Sequence, residues 1–261
     1  MQAYDDVFVP RVFDPWAALL ADLLRIAPGE SALDVACGPG SVARVASERV
    51  GAGGHVTACD LSPAMLALAQ AKPPVDRGAA ITYLEGPAER LPVDSAAFDV
   101  VTCQQGLQFF PDRPAAVAEM QRALRPGGRV GIAVWTEIER SPTMRALSDA
   151  VEQVAGPELA ERYRRGPWGF TDAGQLAELL EHGGFQGVEV SKHVLPVSYE
   201  GGPAQVVSTL AASGIAEHVN QLLPEQKQQL LDAMSQITGS GPIESAMESN
   251  IALGTAVPSA V

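Results

Sequence analysis

The stretch Asp34-Val35-Ala36-Cys37-Gly38-Pro39-Gly40-Ser41 and the later Asp60 combine residue types and spacing that could do chemistry. Two glycines two apart let a backbone turn tightly and let a ligand touch the main chain. Gly38-Pro39-Gly40-Ser41-Val42-Ala43 fits the pattern G-x-G-x-x-A, and Asp60 follows Gly40 by 20 residues. At that spacing a carboxylate at the tip of the next strand can accept both hydroxyls of a ribose. A glycine pair alone is a weak signal; in the order strand, loop, helix, strand, acid it points to a nucleoside. Two nucleosides compete. NAD sets a pyrophosphate against the loop and the helix N-terminus. S-adenosylmethionine sets an amino-acid tail and a sulfonium there. Asp34, just ahead of the loop, would repel a pyrophosphate and favours an ammonium and a sulfonium. A bare tight turn with a surface Asp is the plain alternative.

The elements that must hold these residues follow from periodicity. Asp14-Pro15 reads as the N-cap and first turn of a helix over WAALLADLLRI. Residues 31–36 read as a buried strand, 41–50 as a helix and 54–60 as a second strand. Ser62-Pro63 caps the helix AMLALAQA. Residues 80–84 and 98–103 read as third and fourth strands. Asp112 opens a helix to about Leu124, the turn Arg125-Pro126-Gly127-Gly128 follows, and 129–135 reads as a fifth strand. Apolar strands alternating with helices are the mark of a parallel sheet covered on both faces. In such sheets ligands sit beyond the carboxyl ends of the strands. Farther on, helical stretches over 141–155 and 157–164 precede a Gly/Pro-rich loop. Thr171-Asp172 caps a helix ending at Gly183-Gly184, 188–197 is a strand candidate, 203–238 is largely helical, and 245–256 is the last strand candidate. No linker separates two halves, so a single domain is expected over 1–261: an N-terminal cap (1–30), a cofactor core (31–136) and substrate-side additions (137–170 and 198–242).

With 18 Lys+Arg against 31 Asp+Glu the net charge is −13, and the carboxyl-terminal half is the more acidic. That argues against sequence-blind nucleic-acid binding, which needs a basic face, and against docking on anionic lipid. Arg162, Arg164 and Arg165 read as a solvated helix face. The chain shows no signal-peptide pattern and no apolar run of membrane-spanning length, so a cytoplasmic location is expected. Three cysteines, Cys37, Cys59 and Cys103, lack metal-ligand spacing and suit small apolar fillers in a reducing compartment.

Four stretches, in this order, resemble the class I S-adenosylmethionine-dependent methyltransferases, closest to the ubiquinone/menaquinone-biosynthesis-like small-molecule branch. LDVACGPG resembles the glycine-rich first motif. The resemblance implies that Asp34 anchors the loop and the methionine ammonium, with Ala36, Cys37, Gly38 and Gly40 along the ligand. CDLSPAML resembles the second motif, implying Asp60 on the ribose and Leu61 and Met65 on the adenine face. GPAERLP resembles the adenine-binding stretch, with Pro87, Ala88 and Glu89 at the ring edge. FDVVTCQQGLQFFPD resembles the fourth motif, placing Cys103, Gln104 and Gln105 beside the methionine moiety. Three departures stand out. Ala36 replaces a frequent glycine, which is tolerable if its φ stays below zero. Pro87 replaces an acceptor for the adenine amino group. Gln108 replaces a common His and so removes one possible base.

The expected fold is α/β: a doubly wound, mostly parallel seven-stranded, Rossmann-like sheet with helices on both faces, its last strand antiparallel by resemblance, and a helical lid or insertion. The expected function is methyl transfer from S-adenosylmethionine to a small, apolar molecule. The alternatives are an NAD-dependent oxidoreductase and a cofactor-binding module without catalysis. No metal site is expected and no catalytic base is evident. His193, His218 and Gln108 are the weak candidates; His55 and His182 read as structural. Tyr4, Phe13, Gln108, Trp135, Trp168 and Phe170 are the candidate substrate contacts, with Tyr4, Phe8 and Phe13 as a possible lid.

Overall fold

A strand that is apolar on both sides needs cover on both sides, and the sequence supplies such strands between helices. The computed structural model describes residues 4–257, and of Tyr4, Asp6, Val7 and Ala212 the backbone alone. Its strands are β1 (Ser31–Val35), β2 (His55–Asp60), β3 (Ile81–Glu85), β4 (Phe98–Gln104), β5 (Leu124–Trp135), β6 (Phe185–Tyr199) and β7 (Ile243–Ala256). They form one seven-stranded sheet in the order β3-β2-β1-β4-β5-β7-β6. The β3-β2-β1-β4-β5 pairs are all parallel, and the sheet is mostly parallel with one antiparallel hairpin.

The chain divides into two compact units. One holds Asp14–Val134, Asp172–Lys192 and Asn250–Val261; the other holds Met1–Phe13, Trp135–Thr171 and His193–Ser249. In the first, α1 (Asp14–Leu23) packs on α2 (Ser41–Val50), and α4 (Arg113–Ala123) packs on α7 (Ala173–His182); α3 (Pro63–Ala71) packs on β2 and β3. The chain steps one way along the sheet from β1 to β3 and the other way from β4 to β5. With right-handed crossovers, helices on those two legs fall on opposite faces. The direction reverses between β1 and β4, and a crevice at the carboxyl ends of those strands is where a ligand fits. Leu33, Val100, Val101, Cys103, Val130 and Ile132 are fully buried between the helical layers.

The opposite, amino-terminal edge is fastened by charge. Arg129 donates to Glu30 at 2.9 Å and to the carbonyls of Leu24 and Arg25. Asp99 accepts from the Ser31 N–H at 2.8 Å and from Arg125 at 2.6 Å. Burial alone would raise the Glu30 carboxyl, but Arg129 and the Ala27 N–H outweigh it and hold it below the usual range.

Two local expectations are corrected. The turn at 125–128 does not precede β5 but lies inside it. Phe98 pairs with Leu124 and Val100 with Arg129, so the loop bulges from a continuous strand, with Gly127 at φ 81°. Asp14 opens no free helix end, because the helical segment Tyr4–Phe13 runs directly into α1. The caps read at Ser62, Asp112 and Asp172 are present, each side chain accepting from the backbone N–H three residues on.

The second unit is mainly helical: α5 (Pro142–Ala155), α6 (Pro157–Arg165), α8 (Gly202–Ser208), α9 (Ala216–Gln221) and α10 (Pro224–Thr238). α5 packs against both α6 and α10, and α10 against α8. The segments 137–170 and 198–242 fall within it, and 1–30 divides at Phe13.

Candidate functional site

The glycine-rich loop leaves β1 at its carboxyl end and is pinned from two sides. The Cys37 N–H donates to the Cys59 carbonyl of β2 at 3.0 Å, and the Gly40 N–H to the Cys37 carbonyl at 2.9 Å. The Gly38 N–H donates to Asp60 Oδ2 at 2.8 Å. Gly40 stands at φ 90°, a conformation that L side chains rarely adopt, so the backbone of the turn into α2 favours glycine there. Asp60 sits half-buried at the tip of β2. Its Oδ1 accepts from the Ser62 N–H at 2.8 Å, which also sets the start of α3.

Asp34 is 2% exposed and faces into the protein. Its Oδ2 accepts from the Ala43 N–H in the first turn of α2 at 3.0 Å, and its Oδ1 from Thr102 Oγ1 at 2.9 Å. Desolvation pushes its pKa up to about 7, against the pull of those two bonds. The carboxylate therefore ties β1, α2 and β4 together beneath the loop. Thr102 is its register partner across the β1–β4 pair. The sequence reading overlooked Thr102, because a mid-strand threonine carries no signal until the strands are paired.

Ala36 overturns its expectation: its φ is 56°, in the left-handed region. Gln105, where the next strand of the crevice ends, has φ 55°. A side chain in that region costs roughly 1–2 kcal/mol, and such strain persists where surroundings over-determine the backbone, often at functional sites. Ala36 is held by the Cys37 bond to β2, and Gln105 donates its N–H to the Ala133 carbonyl at 2.9 Å. Gly106 fits against Ala36: a Cβ on it would lie 2.6 Å from Ala36 Cβ and 3.1 Å from Cys103 Sγ. Gly106→Ala is expected to destabilise the protein by about 1–3 kcal/mol through overpacking. Ala36→Gly should recover most of that loss and alone stabilise by up to about 1 kcal/mol. Urea midpoints of the two single variants and the double variant check this; additive losses in the double variant would refute it.

Leu61, next to Asp60, is 68% exposed, an apolar side chain left open to solvent, while Met65 is half-buried one turn into α3. Pro87 is extended, Ala88 is buried at the head of a short helical turn, and Glu89 Oε1 accepts from the Asp112 N–H at 3.5 Å. The Gly86 N–H donates to the Asp60 carbonyl. Beyond β4, Cys103 is fully buried, Gln104 half-buried, and Gln105 and Gln108 buried. Both polar ends of the Gln108 side chain lack a protein partner. Arg113 holds the turn that carries Gln108, donating to the Leu107 and Gln108 carbonyls at 3.2 and 3.0 Å. The sequence reading overlooked Arg113 too. The three thiols are free and buried. Burial, helped by Asp34 and Asp60, pushes the Cys59 and Cys103 thiols up to about 12 and Cys37 higher still. They are packing groups in this state, not nucleophiles.

The residues expected at the cofactor all lie in the first unit. Gln108 lies in the same unit, and the remaining substrate and base candidates belong to the second unit. Phe13 stacks at a tilt on Phe8, centroids 6.0 Å apart, and Trp168 on Tyr163 at 5.6 Å. Trp135 is buried at the end of β5 and Phe170 half-buried. His193 is half-buried in β6, and His218 is exposed on α9, a helix with no buried residue, which weakens its case as a base. The side chain of Tyr4 lies outside the described residues. Among the described residues no three His, Cys, Asp or Glu are grouped to hold a metal ion, and no helix is long and apolar enough to cross a membrane.

The model of the ubiE/COQ5 methyltransferase family matches residues 2–198. Demethylmenaquinone methyltransferase of Lactococcus lactis is 34% identical over 193 residues, 69% of this chain and 75% of that protein. Nocamycin O-methyltransferase of Saccharothrix syringae is 36% identical over 190 residues, 66% of this chain and 65% of that one. A Haemonchus contortus phosphoethanolamine N-methyltransferase, solved with S-adenosylhomocysteine, shares the fold with a TM-score of 0.59 at 22% identity, over 98% of this chain and 56% of that one. Nothing favours the nicotinamide alternative. Motif order, sheet and family match agree: the chain belongs to the ubiE/COQ5 methyltransferase family and is an S-adenosylmethionine-dependent methyltransferase.

Proposed function

We propose that this enzyme methylates a small, ring-bearing, quinone-type acceptor, with the crevice of the first unit holding S-adenosylmethionine. The observation that carries the cofactor placement is the Asp60–Gly38 clasp at the point where the sheet reverses direction. Asp60 would take the ribose hydroxyls. Leu61 and Met65 would cover the adenine, with Pro87, Ala88 and Glu89 at its edge. Ala36, Cys37, Gly38 and Gly40, braced from beneath by Asp34, would line the amino-acid tail, with Cys103, Gln104 and Gln105 opposite. The residues fit such a guest. Gly38 leaves open space where a side chain would stand, and the exposed Leu61 offers an apolar face.

The bound cofactor supplies an electrophilic methyl group. The protein's part is then alignment and exclusion of water. A base is needed only where the nucleophile carries a proton of high pKa. The Gln108 amide can orient a carbonyl or hydroxyl of the acceptor but cannot take its proton. Trp135, Trp168, Phe170 and Phe13, in the second unit, are the candidate acceptor contacts, and 1–261 is taken as a single methyltransferase domain with substrate-side additions over 137–170 and 198–242. The quinone-type assignment is supported by the relative named for demethylmenaquinone. Three free thiols and the absence of a spanning helix among the described residues support a cytoplasmic enzyme.

The test is methyl-labelled S-adenosylmethionine with a short-chain demethylmenaquinol, beside calorimetry with S-adenosylhomocysteine and NADH. Label in the quinone product and selective binding of the sulfur nucleoside are expected. Binding without label in that acceptor would overturn the acceptor class; NADH binding alone would overturn the cofactor placement.

A further inference from the structure

One arginine of α4 ties down the segment that follows the short helical turn Ala88–Arg90. The five N–H donors of the Arg122 guanidinium all find acceptors. Nε and Nη2 donate to the two Glu119 carboxylate oxygens at 2.7 and 2.8 Å. Nη2 also donates to the Leu91 carbonyl at 3.2 Å, and Nη1 to the Val93 carbonyl at 3.0 Å and to Ser95 Oγ at 3.1 Å. Glu119 Oε2 in turn accepts from the Leu91 N–H at 2.9 Å. Both main-chain groups of Leu91, the residue next after the turn, are therefore held by one ion pair.

An exposed ion pair contributes little by itself. This one is half-buried and bidentate, and such a charge-assisted fork fixes geometry as well as adding strength. Arg122 and the Leu91 N–H hold the Glu119 carboxyl below the usual range against the effect of burial, so it stays ionised and can only accept. The other stem of the same loop hangs on the tip of β2, where the Gly86 N–H donates to the Asp60 carbonyl at 3.1 Å. The two stems meet, since a Cβ on Gly86 would lie 2.8 Å from Pro92 Cδ. Residues 87–91 thus form a closed loop with one foot on Asp60 and the other on Glu119 and Arg122. Beyond it, the Ala96 and Ala97 N–H groups donate to the Arg122 and Ala123 carbonyls at 2.9 Å. Those main-chain bonds survive a change of the Arg122 side chain, so its loss frees the loop and not β4.

We propose that Glu119 and Arg122 are positioning residues that set the base selectivity of the cofactor site: by fixing Leu91 they hold the Pro87–Glu89 edge where it favours adenine over a base with an oxo group in place of the 6-amino group. The inference rests on the cofactor placement above and adds what gives that site its choice of base. Pro87 offers the edge no side-chain donor or acceptor. The reading therefore falls on Glu89 and on main-chain groups, whose positions the loop decides. Adenine presents an amino donor beside a bare ring nitrogen; the oxo base presents the reverse, a carbonyl acceptor beside an N–H. Hydrogen bonds weaken steeply with misalignment, whereas contact with the flat ring does not. A loosened loop thus loses its choice of base before it loses the nucleoside.

The probes are S-adenosylhomocysteine and S-inosylhomocysteine, titrated into the full chain by calorimetry. Wild type should prefer the adenine nucleoside. Arg122→Gln and Glu119→Ala should each weaken S-adenosylhomocysteine about 5–10-fold, roughly one hydrogen bond's worth, and leave S-inosylhomocysteine nearly unchanged, so the preference narrows. Arg125→Gln is the control. It breaks the Arg125–Asp99 pair, at 2.6 Å, on the amino-terminal edge of the sheet, and should lower the urea midpoint with the preference intact. If Arg122→Gln does not fold, Arg122→Lys, which keeps the charge but not the fork, reads the same ratio. A wild-type preference retained in the Arg122 and Glu119 variants overturns the proposal, whatever their stability. So does an equal narrowing in Arg125→Gln, which would mark the effect as general loosening. If wild type binds the two nucleosides equally, the proposal falls and methyl transfer stands. If S-adenosylhomocysteine itself does not bind, the methyl-transfer reading falls.

Discussion

Asp60→Ala is expected to weaken S-adenosylhomocysteine binding about 100-fold or more. Hydrogen bonds to a charged group contribute about 1.5–3 kcal/mol each, and a carboxylate on two ribose hydroxyls makes two of them. A loss of about 2.8 kcal/mol is a hundredfold in affinity. The same substitution releases the Gly38 and Ser62 N–H groups, so the loop and the start of α3 lose their common anchor. Turnover at limiting cofactor should fall in parallel. Asp60→Asn keeps one acceptor oxygen and should lose roughly tenfold. With both anchoring bonds gone, the melting temperature of Asp60→Ala should also fall by a few degrees, at about 2–4 °C per kcal/mol for a chain of this size. Calorimetry on the three proteins checks this, and an affinity for Asp60→Ala within threefold of wild type would remove Asp60 from the ribose.

The second large effect belongs to Asp34. Asp34→Leu strands the Ala43 N–H and the Thr102 hydroxyl in a dry interior, at an expected cost of about 2–4 kcal/mol. Asp34→Asn should cost about 1 kcal/mol or less. Its carbonyl can keep the Ala43 N–H, and its amide can donate to Thr102 Oγ1, which still donates to the Leu33 carbonyl at 3.3 Å. The pH dependence has a definite sign. Burial raises the Asp34 pKa from 3.8 to about 7, so the folded state holds the proton more tightly than the unfolded one. The contribution of this group to stability is full below about pH 4, declines as pH rises, and is gone above about pH 7. Asp34→Asn should flatten that decline. Urea unfolding at pH 5, 6, 7 and 8 reads it, and identical slopes in wild type and Asp34→Asn would contradict the assignment.

Much of this was legible in the sequence. Strand and helix order, three capping residues and the cofactor motifs depend on residues near one another along the chain, and their periodicity shows. What escaped depends on contacts made only after folding. Nothing local says that Ala36 must turn left-handed; the Cys37 bond to β2 decides that. Thr102 acquires its role when β4 pairs with β1. The sequence points Asp34 at a cationic ligand, whereas its side chain is engaged with two protein donors, so its preference for a sulfonium acts at most through the loop it braces. Pro-Gly-Gly in β5 is compatible with a turn or a bulge, and strand pairing makes it a bulge.

The ion pairs of Arg129, Glu30, Arg125 and Asp99 close the sheet at its amino-terminal edge, while the crevice loops leave from the other end of the same strands. Inheritance can therefore act on the two ends separately. Descendants of such a chain can diverge in the acceptors they take by rewriting loops and inserts, while the fastening that keeps the strands in register passes on unchanged.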